Sequence, residues 1–252
     1  MENSQVKCIE IDGISAVYLG SLSAKKVIIF IGRSNSQKYS APLERLLGGL
    51  VSDGFLLVWP VSRFESIGRF LTEKSTKVLN WIHQVFGTLD LFNQEYLLHL
   101  IKGLILIRHP TKWDYFFEWL SNNDQTLYLR EAIQFFGNHR ALFILSHSAG
   151  GIIASSLAGE INLKKIICFG YPFKHPNNQH EDYRTEHLKK FKKPFLIIQG
   201  NHDEYGGSEV LHEYEMSPNI EFEFVESNHE YENLSTVDWL KVTRRLAKFL
   251  TD

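Results

Sequence analysis

Ser148, Asp203 and His229 are the side-chain types that nucleophilic acyl transfer needs, and they occur in that order along the chain. A serine hydroxyl is a weak nucleophile until a neighbouring base takes its proton. An imidazole does this near neutrality and returns the proton to the leaving group. A carboxylate on the far imidazole nitrogen fixes the tautomer and stabilises the imidazolium. Each of the three residues follows a short apolar run, and each interval has room for a strand and a helix. The bland alternatives are a helix start rich in small residues for Ser148 and a loop-capping carboxylate for Asp203. Glu204 is the nearest competing acid, and His202 and His147 are the nearest competing imidazoles.

The setting of Ser148 is the most specific feature. Ser146-x-Ser148-x-Gly150, extended by Gly151, lies between the apolar run Ala141–Leu145 and a helical pattern over 149–159. A sharp strand-to-helix turn exposes a nucleophile in this way, and it needs small residues two positions to either side. Glycine is usual where this chain has Ser146, which is also small. The turn sets Ser148 at a helix N-terminus, where backbone N–H groups favour negative charge. One oxyanion donor is then the N–H of Ala149. The second is expected after the run Val27–Ile31, from the N–H of Arg33 or Ser34. The Arg33 side chain reads two ways: it holds a substrate carboxylate or phosphate, or, the plainer expectation, it pairs with a surface acid.

These residues need strands to carry them. Cys8–Ile11 and Ala16–Leu19 read as a hairpin turning at Asp12-Gly13. Val27–Ile31 is continuously apolar, as in a strand buried on both faces. Phe55–Trp59 is the next strand, stopped by Pro60. Further strands are expected at 141–145, 165–169, 195–199 and 220–225. Helical patterns lie at 41–52, 127–136, 149–159, 185–191, 208–216 and 236–250. Strands alternating with helices predict an α/β fold with a mostly parallel sheet covered on both faces. In such sheets ligands bind beyond the carboxyl ends of the strands, where all three residues fall.

Residues 61–123 break the rhythm. No good strand appears, and helices are expected at 67–86, 94–107 and 113–120. We read 61–123 as a helical cap inserted into a core domain of residues 1–60 and 124–252. The cap is rich in aromatic residues, including Trp81, Tyr96, Trp113 and Trp119. Such a stripe usually packs a helix against its neighbour, and it also suits an apolar acyl chain.

The chain has 252 residues, 44% hydrophobic and 22% charged, with a formal charge of −2. That is ordinary globular composition and argues against a nucleic-acid partner. The basic run Lys189, Lys190, Lys192, Lys193 reads as a solvated face. Two distant cysteines, Cys8 and Cys168, make neither a disulfide framework nor a zinc module. No secretory pattern opens the chain. The longest apolar stretch, Tyr96–Ile107, holds His99 and Lys102 and falls short of the about 20 residues a membrane span needs. The expectation is a soluble cytoplasmic protein without an integral membrane segment, its oligomeric state open.

At these residues the chain resembles the α/β-hydrolase superfamily, and within it the small dienelactone-hydrolase-like serine hydrolases. The resemblance rests on SHSAGG, CFGYPFKHP, YRTEHLKKFKKPFLIIQGNHDEYGG and SNHE, and covers roughly residues 141–252. It implies the α/β-hydrolase fold, with triad roles for Ser148, Asp203 and His229. It also implies a small-molecule ester or thioester substrate cleaved through an acyl-enzyme, with no cofactor or metal. The chain departs from the group in three places. Ile31-Gly32 stands where His-Gly is usual, Glu204 follows the aspartate where proline is frequent, and the helical insertion is extra.

Two rival readings remain. Gly200-Asn201-His202-Asp203 also matches one box of the calcineurin-like metallophosphoesterases, but the companion boxes that would hold two metals are missing, as is any HExxH. The second rival is a non-catalytic hydrolase fold used for binding or assembly, since a fold does not guarantee its chemistry.

Overall fold

A computed structural model describes residues 7–11, 14–32, 41–61, 63–86, 94–113, 125–177, 181–231 and 234–251. Eight strands form one sheet: β1 (Lys7–Ile11), β2 (Ile14–Leu19), β3 (Lys26–Ile31), β4 (Phe55–Val61), β5 (Ala141–His147), β6 (Leu163–Phe169), β7 (Phe195–Gly200) and β8 (Ile220–Val225). Their order is β1-β2-β4-β3-β5-β6-β7-β8. The pairs β3–β4, β3–β5, β5–β6, β6–β7 and β7–β8 are parallel. The chain leaves β3 for β4 on one side and returns to β5 on the other. This reversal opens a crevice at the carboxyl ends of β3 and β5, where a ligand site is expected.

The helices are α1 (Ala41–Ser52), α2 (Arg63–Phe86), α3 (Gln94–Ile107), α4 (Gln125–Gly137), α5 (Gly150–Ser156), α6 (Val210–Glu213) and α7 (Thr236–Thr251). Leu46, Leu47 and Leu50 of α1 share one core with Val242, Leu246, Phe249 and Leu250 of α7 and with Ile28, Leu57, Phe143, Ile167 and Leu196 of the sheet. The strand neighbours Val27, Ile29, Leu56, Leu142, Ile166 and Ile197, whose side chains point to the opposite face, are fully buried too. Both faces of the sheet are therefore covered, which is why its strands read as unbroken apolar runs.

The elements depart from expectation in instructive places. β4 continues through Pro60 to Val61, beyond its last paired position with β3, Ile29 with Val58. A proline there removes no bond from that ladder. The segment 185–191 forms a 3-10 turn, Glu186–Lys190. Leu188 N–H donates to Thr185 O at 2.9 Å, and the Arg184 carbonyl that an α-turn would use accepts the Tyr171 hydroxyl at 2.6 Å. The helix expected at 208–216 is the single turn α6. Past it, Ser217 is drawn away by bonds to Leu188 O and Phe191 O. Lys193 is not simply solvated: its ammonium donates to Glu160 O and Leu163 O at 2.8 and 2.6 Å. The Asp12-Gly13 turn and most of the expected helix 113–120 lie outside the described residues.

The chain divides into two compact units, Met1–Cys8 with Ala16–Pro60 and Thr126–Asp252, and Ile9–Ser15 with Val61–Gln125. In the second unit, Ile67 and Leu71 of α2 pack with Leu106 of α3, beside Phe70 and Ile105. Trp113 Nε1 donates to Leu106 O at 2.8 Å, and the Lys112 ammonium sits 4.8 Å from the Phe70 ring centre. No helix among the described residues is long and apolar enough to cross a membrane.

Candidate active site

Ser148 is the first residue past β5. Its backbone has φ +54°, a conformation costly for any residue with a Cβ. The surroundings hold it there. Ser148 N–H donates to Phe169 O at 2.9 Å, and Gly151 N–H donates back to Ser148 O at 2.8 Å as α5 begins. Close packing explains the small neighbours. A Cβ on Gly150 would stand 2.4 Å from Ile31 O, and one on Gly151 2.5 Å from Cys168 Sγ. Ser146, 1% exposed, turns its hydroxyl to Ile167 O at 2.9 Å.

The Ser148 hydroxyl lies 2.7 Å from His229 Nε2, and His229 Nδ1 lies 2.8 Å from Asp203 Oδ2. An ionised carboxylate only accepts, so Nδ1–H donates to Asp203. That leaves Nε2 of the neutral ring as the acceptor for the serine proton. His229 is 1% exposed, Ser148 4% and Asp203 5%, so the chain of bonds is shielded from water. The three residues sit after β5, β7 and β8, and the ends of the strands bring them together.

The backbone of the neighbouring loops fits this packing. Gly170, just after β6, has φ +60°, and a Cβ there would reach 3.1 Å from His229 Nδ1. Gly200 closes β7 with no room for a Cβ, which would meet Ser227 O at 2.4 Å. Asp203 Oδ1 accepts Tyr205 N–H at 2.8 Å, and the Tyr205 ring centre is 4.5 Å from that of His229. The competing groups are placed elsewhere. Glu204 is exposed. His202 pairs with Glu226 at 3.1 Å on the surface. The Nε2 of His147 lies 3.3 Å from the backbone O of His229.

Ala149 follows the serine in helical conformation, φ −52°, at the mouth of α5. The close approach of Ile31 O to Gly150 sets the end of β3 beside this turn. Arg33 and Ser34 lie outside the described residues. Two contributors escape a reading of the sequence by strand ends alone. Tyr205 carries no pattern of its own. Gln199 does: it is the one amide in the apolar strand Phe195–Gly200, and it is fully buried. Its Nε2 lies 2.9 Å from Asp203 Oδ2.

A parallel sheet wound in both directions from β3, with a serine at positive φ beyond β5, defines an α/β-hydrolase. Residues 122–247, half of the chain, match the alpha/beta hydrolase domain family, and the chain belongs to that family. No curated protein matches it in sequence. Among solved structures it is similar to an esterase from Pyrococcus furiosus, at 12% identity over 98% of this chain and 91% of that one, TM-score 0.52. It is similar also to an esterase domain from Rhodothermus marinus, at 13% identity over 97% of each chain, TM-score 0.55. An alpha-beta serine hydrolase homologue from Coxiella burnetii aligns at 11% identity over 100% of this chain and 99% of that one, TM-score 0.53. At such identities these likenesses show the fold alone.

Proposed function

We propose that the protein is a serine hydrolase that cleaves a carboxylic ester or thioester through an acyl-enzyme. The observation that carries this is the continuous bond chain Ser148 Oγ to His229 to Asp203, buried behind a serine held at positive φ. Ser148 Oγ attacks the acyl carbon while its proton passes to His229 Nε2. Asp203 stabilises the imidazolium. The oxyanion is received by the N–H of Ala149 and by a second amide from the loop after β3, for which Arg33 is our candidate. Collapse breaks the bond to the alcohol or thiol, which leaves with the proton from Nε2. Water then repeats the sequence on the serine ester and releases the acid.

We assign residues 61–123 as a helical cap insertion, and we favour a substrate with an apolar acyl group. The support is compositional and structural: α3 leaves Tyr96, Leu100, Leu104 and Ile107 exposed at helical spacing. An exposed free thiol, Cys8, suits a reducing cytoplasmic compartment. The reading is tested by hydrolysis of p-nitrophenyl esters of increasing acyl length, wild type beside Ser148→Ala. We expect turnover that rises from acetyl toward longer chains and is lost in the variant. Turnover retained in the variant, or no turnover of any ester by folded protein, would overturn it; the second result favours a binding protein built on the hydrolase fold.

A further inference from the structure

We infer that Gln199 is a positioning residue for the proposed hydrolytic centre, holding the Asp203 carboxylate in the orientation that His229 requires. The inference rests on the hydrolase reading of Ser148, Asp203 and His229.

Gln199 is fully buried on β7, four residues before the acid it contacts. Its amide nitrogen faces three acceptors: Gly206 O at 2.6 Å, Asp203 Oδ2 at 2.9 Å and Tyr171 O at 3.3 Å. Its amide oxygen accepts Tyr171 N–H at 2.9 Å. The reverse orientation would set the oxygen against two carbonyls and a carboxylate, so the network admits only one. With two protons for three acceptors, the two shorter bonds take one each. One side chain thus ties the loop after β6 to the loop after β7.

The bond to Asp203 falls on the oxygen that also receives His229 Nδ1–H. Oδ2 therefore holds two donors, and Oδ1 holds Tyr205 N–H. Those three bonds fix the carboxylate against rotation in a site that excludes water. Hydrogen bonds to a charged acceptor are the strong ones in such a setting. Without the amide, a buried lone pair of Oδ2 loses its donor. The carboxylate then swings toward another donor, and the imidazole loses its fixed partner. Gln199 bonds to Tyr171, Gly206 and Asp203 and to neither Ser148 nor His229, so its link to the centre runs through Asp203.

The test measures the second-order rate of fluorophosphonate labelling of Ser148 from pH 5 to 9, with intact mass as readout. Gln199→Met keeps the length and removes the amide. Gln199→Glu keeps the shape and an acceptor for Tyr171 N–H but sets a second carboxyl against Asp203. We expect Gln199→Met to label on the order of tenfold more slowly at the plateau, with a retained thermal transition. We expect Gln199→Glu to displace the acid limb of the profile, because two adjacent buried carboxyls share a proton, titrate as a pair and change the charge that faces His229. A merely structural glutamine would change the melting temperature and leave that limb in place. Should Gln199→Met not fold, the near-isosteric Gln199→Glu still gives the limb. Wild-type rate and wild-type limb in the folded variants would overturn the inference. A wild type that does not label at all would instead overturn the hydrolase reading, and this inference with it.

Discussion

In the proposed mechanism the acid, Asp203, sets the tautomer and the charge balance of His229. Asn at position 203 would keep the shape of Asp203 but present a neutral amide to His229 Nδ1, which loses both the tautomer control and the charge that stabilises the imidazolium. We expect Asp203→Asn to lower kcat on the preferred ester by about three to four orders of magnitude, by analogy with the chymotrypsin-type triad. A loss below tenfold would show that another group orients His229. The second prediction concerns the thiols. Burial pushes the Cys168 thiol up to about 12, so it stays protonated and shielded at neutral pH. Cys8 is exposed. Titration of the native protein with a thiol-specific disulfide reagent should release one equivalent, and two after denaturation. Two equivalents in the native state would place Cys168 within reach of solvent and contradict the packing of Gly151 against it.

At the scale of elements, the turn from β5 into α5 depends on backbone approaching backbone. The Cβ of a Gly150→Ala variant would fall 2.4 Å from Ile31 O, a contact that no rotamer relieves. We expect this variant to lose most serine reactivity and to unfold at lower denaturant, with a Leu196→Ala variant as the reference for a core defect. Leu196 is fully buried on β7, and its truncation should cost about 2–5 kcal/mol without altering the pH dependence of labelling. Wild-type reactivity in Gly150→Ala would mean that β3 yields easily at its end. These elements also show how much can be read from sequence. The strands that carry the site, β5, β7 and β8, are continuous or alternating apolar runs, and the residues past their ends are the ones that converge. Ser148, Asp203 and His229 were therefore readable as a set. The helical periods of 185–191 and 208–216 were misleading, because tertiary bonds from the Tyr171 hydroxyl to Arg184 O and from Ser217 N–H to Leu188 O take the backbone groups that longer helices would use. Gln199 was not readable: its role depends on a bond to a side chain in the next loop, and only its polarity within an apolar strand marks it.

For the whole molecule, the net charge of −2 is too small to dominate stability, and particular buried groups set the pH response. Burial holds His187 below the ordinary histidine range, with a bond from the ring to the Tyr183 carbonyl opposing the shift. Its Nε2 lies 2.7 Å from Ser155 Oγ. The unfolded chain takes up a proton at this histidine at about pH 6.5, while the folded chain resists it. Below that pH the unfolded state binds more protons, so stability present at pH 7.5 declines as pH falls through about 6.5. Urea midpoints at pH 7.5 and 5.5 should show this decline, and His187→Gln should reduce it. An equal decline in the variant would assign it to other groups. The proposed activity stands or falls on the reactivity of a single hydroxyl. The direct measurement is fluorophosphonate labelling of the purified, folded protein, followed by peptide mapping. One adduct on Ser148, lost in His229→Ala, is the expected result. A folded wild type that carries no adduct, or carries it on another residue, would contradict the assignment of Ser148 as the nucleophile.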